Sequence, residues 1–370
     1  MLIQIHTLQN YAPSNLNRDD TGAPKDAIFG GMRRGRISSQ CLKRAIRLSD
    51  AFRAPFTEDA LLASRTKKLP QLVEQCLCEM ELDEKTVTAI CSRVAEIGRE
   101  STKRASDAGD GEQELETKQL IFVAPNEVEP LAQGLLAQYQ ELGSKWARTS
   151  IDKITANLGD TLPRSVDVAM FGRMTTSSAF EDVHAAVQVA HALSTNALTQ
   201  EFDYYTAVDD LTNEVGASMI GDIEFNSSTY YKYINVHWDG LVHNLGGDTE
   251  VAAQAVVALL EAAVKAQPSG KQNTFAAQNL PDLVLVEVRE ENLPVSYTNA
   301  FLKPVRPGHD GTTLMQASIG ALGDYMARIS GVYDLDGDRA MVSTDDQELP
   351  GAERLASLRQ MQGWLAERLG

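Results

Sequence analysis

The chain has 370 residues, with 51 acidic side chains against 34 basic ones and a formal charge of −17. That length is ample for a large core without covalent staples, and the acidity excludes the uniformly basic surface of a general nucleic-acid binder. Neither a GxxxxGK[ST] phosphate loop nor a GxSxG elbow is present, which removes the common nucleotide-hydrolase and esterase signatures.

The opening MLIQIHTL alternates as a strand and lacks the basic start and small-residue cleavage site of a secretory signal. The longest apolar run, AVVALLEAAV from Ala255, is interrupted by Glu261, so no membrane contact is expected and the chain reads as soluble and cytoplasmic. Cys41, Cys76, Cys78 and Cys91 lie in helix-like sequence without a paired spacing, as reduced thiols do. Cys76 and Cys78 would point about 200° apart on a helix, so no metal site is predicted there.

After the first strand, Asn10 to Asp20 reads as a loop, and Gly30-Gly31 and Gly35 punctuate an irregular segment. Ser38 and Ser39 then cap a predicted helix running to about Ser49. Leu42, Ala45, Ile46 and Ser49 share one face of it, and Gln40, Lys43, Arg44 and Arg47 share the other. The segment Lys25 to Arg47 is a basic island: Lys25, Arg33, Arg34, Arg36, Lys43, Arg44 and Arg47 stand against the single acid Asp26. With the free N–H groups of the glycine turn and of the helix start, it reads as a track for the phosphates of a polyanion.

From Arg53 to about Leu158 the pattern is helical, with an acidic solvated loop over Ser106 to Glu116 and a short strand, LIFVA, from Leu120. RSVDVAMFGRM, after Pro163, alternates as a strand, and a helix is predicted from Glu181 to Leu193, placing His184 and His191 on one face as structural residues. EFDYYTAVDDL and DIEFNSSTYYKYINVHW read as two strands of a long hairpin, whose Tyr204, Tyr205, Val208 and Met219 suit stacking or wedging between unpaired bases, as does Met174. A helix over Thr249 to Ala266, a strand over Leu283 to Val288, a helix around Met315 to Ile329, a polar loop and a helix from about Ala352 to Leu369 complete the chain. Asp334, Asp336 and Asp338 lack the glycine and glutamate positions of a calcium loop. Stripped of insertions, the order is strand, helix, strand, strand, helix, strand: an α+β chain of ferredoxin-like, RNA-recognition-motif-like type, with one sheet face open.

Several motifs together carry a resemblance. LNRDD at Leu16, KDAIFGGMRRGRISSQCLKRA at Lys25, GRMTTS at Gly172, TAVDDL at Thr206 and KQNTFAA at Lys271 resemble the backbone (CasC-type, RAMP superfamily) subunit of the type I-E CRISPR surveillance complex, Cascade. The resemblance implies a noncatalytic protein without cofactor or metal that polymerises along a CRISPR RNA and presents it to a target DNA strand. It also implies a hand-like organisation. The palm comprises residues 1–52, 161–195 and 231–300, a helical fingers insertion fills 53–160, a β-hairpin thumb arm spans 196–230, and a C-terminal helical region, 301–370, packs on the palm.

The expected guide-binding residues are Arg18, Lys25, Arg33, Arg34, Arg36, Ser38, Ser39, Gln40, Lys43, Arg44, Arg47, Arg173 and Met174. Tyr204, Tyr205, Val208 and Met219 are the expected base-displacing residues of the thumb. The implied partners are the crRNA, further copies of the chain, the large and small subunits, the subunit that binds the 5′ handle, and the crRNA-processing endonuclease. The rival reading is a metal-dependent ribonuclease using the carboxylate pair Asp19 and Asp20, whose plainer role is a turn.

Overall fold

The computed structural model describes residues 1–98, 115–156, 158, 164–175, 177–207 and 219–370. It is a mixed α+β structure of two compact units: Met1–Arg53 with Val187–Trp238 and Ala253–Gly370, and Ala54–Ala186 with Asp239–Ala252. The described residues of 161–186, expected in the palm, cluster with the second unit.

A ten-stranded sheet organises the first unit. Its strands are β1 (Leu2–Ser14), β2 (Asp26–Phe29), β3 (Met32–Ile37), β4 (Val187–Val189), β5 (Ala192–Ser194), β6 (Glu201–Ala207), β7 (Met219–His237), β8 (Leu283–Arg289), β9 (Asp338–Ser343) and β10 (Glu353–Arg354). Their order is β10-β9-β8-β1-β7-β5-β3-β2, with β4 and β6 also paired to β7. Only the β9–β10 pair is parallel. The longer helices of this unit are α1 (Ser39–Leu48), α2 (Thr249–Lys265, in this unit from Ala253), α3 (Leu314–Tyr333) and α4 (Leu358–Leu369).

Residues 2–9 of β1 are buried without a break, because both faces of the strand are covered. Leu2, Gln4, His6 and Leu8 point one way; Ile3, Ile5, Thr7 and Gln9 point the other. The open sheet face expected from the recognition-motif comparison is absent: Ile319, Leu322 and Met326 of α3 pack on Leu8, Tyr231, Tyr233, Leu283 and Leu285. Beneath α3 lies a buried polar network centred on Glu287. Its carboxylate accepts from Gln4 (3.2 Å), His6 (3.2 Å), Tyr297 (2.9 Å), Arg289 (3.1 Å) and Arg339 (2.5 Å). Burial alone would raise the Glu287 pKa, but the His6 hydrogen bond and the charges of His6, Arg289 and Arg339 prevail and hold it far below the usual carboxylate range.

The second unit is mainly helical. Leu69–Glu79, Glu84–Val94 and Pro125–Leu142 surround a core that includes Val73, Leu77, Ile90, Val94, Leu131, Leu135, Trp146 and Ile154. Ser64–Thr66 pairs with Ile121–Val123, the short strand expected at LIFVA.

Five local expectations change. The loop expected over Asn10 to Asp20 starts later, because β1 continues to Ser14 along its pairing with β7. Val166–Phe171 is a helix, capped by Ser165 accepting from Val168 N–H at 3.2 Å; Val166, Asp167, Val168, Ala169 and Met170 are all buried, so their apparent alternation carried no strand information. The expected helix Glu181–Leu193 is instead loop followed by β4 and β5, because Val187 and Val189 find partners on β7 and strand pairing overrides helical spacing. Asp338–Ser343, taken for polar loop, is strand β9. The irregular segment around Gly30-Gly31 is a β2–β3 hairpin whose two turn residues have φ of +59° and +76°, and a Cβ on Gly30 would stand 2.0 Å from the Leu302 carbonyl oxygen.

Candidate nucleic-acid interface

Helix α1 is built as its sequence demands. Ser38 is the N-cap, its Oγ accepting from Cys41 N–H at 3.3 Å, and Leu42 and Ile46 are buried. On the outward side Gln40 and Arg44 are exposed while Lys43 and Arg47 are half-buried, so the face predicted from spacing is the face that meets solvent. Arg47 in the last turn also complements the negative end of the helix.

The approach to the helix is braced by backbone contacts. Asn17 accepts from Lys25 N–H through its carbonyl (2.8 Å) and from Ser38 N–H through Oδ1 (2.8 Å). Arg36 N–H donates to the Lys25 carbonyl at 2.9 Å, and its Nε donates to the Asp26 carbonyl at 3.0 Å. Ser39 N–H, one of the helix's free donors, is taken by Nδ1 of His191 at 2.9 Å. Partial burial, with Arg36 and Lys25 nearby, lowers the His191 pKa. His191 is therefore a neighbour of the track that helix-based reasoning assigned elsewhere; its signal was hidden because the segment was read as helical.

Of the remaining predicted cations, Arg18 is exposed, and Arg33 is exposed but engaged with the Asp26 carboxylate and with Gln200 Oε1 at 2.6 Å. Arg34 is a correction. It is fully buried, and its guanidinium donates to the carbonyls of Ser194 (2.9 Å), Thr195 (2.9 Å), Phe301 (2.7 Å) and Leu302 (3.2 Å), so it holds the fold and cannot reach a phosphate. Ser38 is also buried, as caps are.

In the second unit Arg173 is the other correction. It forms a two-pronged pair with Glu127 at 2.7 and 2.8 Å, adds bonds to the Phe122 and Glu181 carbonyls, and is only 6% exposed. The residue that follows it, Met174, is 94% exposed. A rigid buried anchor thus carries an apolar side chain held out in solvent, where burial provides no reason for it.

Strand β6 pairs with the start of β7 to form the expected arm, and all seven of its residues are exposed. Tyr204 is 65% exposed; Tyr205 lies over Gly221, where a Cβ would stand 2.5 Å from its hydroxyl. Val208 lies outside the described residues, and Met219 pairs through its backbone with Ala207. Phe202 and Ile220, which the sequence reading passed over, share the Tyr204 face by register and are likewise exposed. Acids Glu201, Asp203 and Asp222 flank these rings, so the arm offers apolar surface rather than charge for a phosphate.

Asp19 of the carboxylate pair is committed to a turn: its Oδ1 accepts from Thr21 N–H (2.9 Å), Thr21 Oγ1 (2.8 Å) and Ala23 N–H (3.0 Å), with the Thr21 hydroxyl foremost in lowering its pKa. Among the described residues no group of three or more His, Cys, Asp or Glu is placed to hold a metal ion, and no helix is long and apolar enough to cross a membrane.

Chains of solved CRISPR complexes share this architecture from end to end. One, in a structure titled "CRISPR RNA-guided surveillance complex, pre-nicking", is 31% identical with a TM-score of 0.82, and both chains are covered completely. Another, in a "CRISPR RNA-guided surveillance complex", is 26% identical with a TM-score of 0.63, again with full coverage of both. The class is that of the α+β chains found in such complexes. More narrowly, the chain belongs to the family described as CT1975-like protein, whose model matches residues 3–368. No curated protein gave a significant match.

Proposed function

We propose that this protein is the noncatalytic, crRNA-binding backbone subunit of a type I-E CRISPR surveillance complex, polymerising along the guide and kinking it at intervals. The observation that carries the reading is the full-length likeness, at 31% identity and TM-score 0.82, to a chain of an RNA-guided surveillance complex. The strand order β8-β1-β7-β4/β5, with α1 and α2 in the two crossovers, supports reading the first unit as a ferredoxin-like palm. The helical unit then serves as fingers and the β6–β7 arm as thumb.

In this account the guide backbone lies along the side chains of Lys25, Arg36, Ser39, Gln40, Lys43, Arg44 and Arg47. Met174 and the apolar arm contact bases, not phosphates, and displace them at each repeat. Bases between these wedges stay free to pair with a target DNA strand, so sequence is read by the guide and the protein reads backbone and shape. The covered sheet face leaves α1 to do what the open sheet does in recognition-motif proteins. Further copies of the chain and the other Cascade subunits are the partners, in the cytoplasm, and no membrane is involved.

The complex co-expressed with its neighbouring subunits is expected to retain RNA of defined length and repeat-derived ends. Sequencing of the bound RNA checks this, and RNA of random sequence and length would contradict a guide backbone. Complementary target RNA incubated with the complex and Mg²⁺ is expected to stay intact. Cleavage lost in Asp20→Ala would replace the scaffold reading by the ribonuclease one.

A further inference from the structure

Beneath α1, on the sheet face away from α3, lies a lysine amine with no counter-ion among the described residues. Lys232 is in the middle of β7 and only 5% exposed. Its Nζ donates to Gln9 Oε1 and to the Tyr11 hydroxyl at 3.0 Å, and stands 5.3 Å from the centre of the Tyr11 ring. Directly across the strand pair is Thr7, whose buried Oγ1 has no hydrogen-bond partner among the described residues. The Tyr11 hydroxyl continues to Gln267 Oε1 at 2.5 Å, just past α2.

The groups packed around Lys232 are neutral from every side: Thr7, Gln9 and Tyr11 on β1, Tyr230 on its own strand, Cys41 on α1, and Gln267. Burial raises the Tyr11, Tyr230 and Cys41 pKa values, so none of these supplies a negative charge near neutrality. No carboxylate pairs with Lys232 among the described residues. The charged neighbours of Cys41 are Lys25 and Arg44 as well as Lys232, all cations. A buried lysine of this kind contrasts with Glu287, which receives five donors under the other face. Desolvation brings the Lys232 pKa from its ordinary value down to about 7.

We propose that Lys232 is a positioning residue for guide binding, protonated more often when a polyanion occupies the outer face of α1 than when that face is empty. The inference rests on α1 as the guide-binding helix. One α-helix, about 10 Å thick, separates the two sites. A phosphate about 12 Å away, at an effective dielectric of about 20, raises an ammonium pKa by about one unit. Guide binding then takes up a fraction of a proton near neutral pH, and the charged Lys232 adds to the attraction that holds the guide.

The test is the affinity of the purified full chain for a fluorescent single-stranded RNA between about pH 7 and pH 9, at fixed salt. In that window the lowered His191 pKa and the raised Cys41 pKa both favour the neutral forms. The wild type is expected to bind about fivefold more tightly at pH 7 than at pH 9, and Lys232→Met to show no such change. Lys232→Arg, charged throughout, is the second variant; it too flattens the profile and retains affinity at pH 9. A wild-type profile that is flat, or a slope that persists in both variants, overturns the coupling while RNA binding itself remains. Absence of RNA binding at every pH contradicts the guide-binding reading of α1 and the coupling with it.

Discussion

The two faces of the central sheet bury opposite charges in opposite ways. Under α3, Glu287 is surrounded by His6, Arg289, Arg339, Gln4 and Tyr297, and the whole group acts as one folded-state fastener. Under α1, the described neighbours that Lys232 touches are neutral. A paired buried charge costs most when one partner is removed, whereas an unpaired one already carries its cost and responds to charge arriving outside. The first face is therefore structural, and the second stands behind the predicted functional helix.

The comparison breaks most visibly at Glu287. Glu287→Ala leaves the buried Arg289 and the partly buried Arg339 without their carboxylate and is expected to cost about 3–5 kcal/mol, read by chemical denaturation. The same depressed carboxylate supports the fold above its ordinary pKa and loses that support as pH falls through the acid range, so wild-type stability drops on acidification and the variant drops less. Arg34→Ala is expected to be comparably severe, about 3 kcal/mol, since it strands four carbonyls. If Arg34→Ala folded normally and lost RNA instead, its removal from the guide-binding set would be mistaken.

Lys232 sharpens the contrast with the opposite sign. Its folded pKa is depressed, so the unfolded chain binds more protons above neutrality and stability rises with pH. Between about pH 7 and pH 9 the free protein is expected to gain about 2 kcal/mol, and Lys232→Met to gain almost none. Thermal melts across that range check it. The smallest effect belongs to Met174→Ala, expected to change stability by less than about 0.5 kcal/mol because the side chain is in solvent, while altering the spacing of kinks in bound RNA. Nuclease footprinting of the bound guide reads that spacing.

Much of this is legible in the sequence. The polar face of α1 follows from the spacing of Gln40, Lys43 and Arg47, and the long hairpin from the aromatic and β-branched run after Asp222, because both are local periodicities. Arg34 and Arg173 were misplaced for one reason: sequence records that a residue is charged and is silent on whether four carbonyls or a buried glutamate wait for it. The covering of the sheet by α3 and the loss of the 181–193 helix are outcomes of contacts between distant segments: Ile319 and Met326 share a core with Leu8 near the start of the chain, and Val187 and Val189 pair with Val236 and Ile234 on β7. His191 and Phe202 were missed because their neighbours come from other segments, Ser39 in one case and the cross-strand register in the other.

The central claim is that the outer face of α1 holds the guide. Its most direct measurement is the RNA content of Lys43→Glu/Arg47→Glu purified beside wild type, with ultraviolet absorbance for RNA and thermal melting for the fold. The double variant is expected to melt within a few degrees of wild type and to carry no RNA. A folded double variant with wild-type RNA occupancy would show that this face is merely solvated and that the guide lies elsewhere.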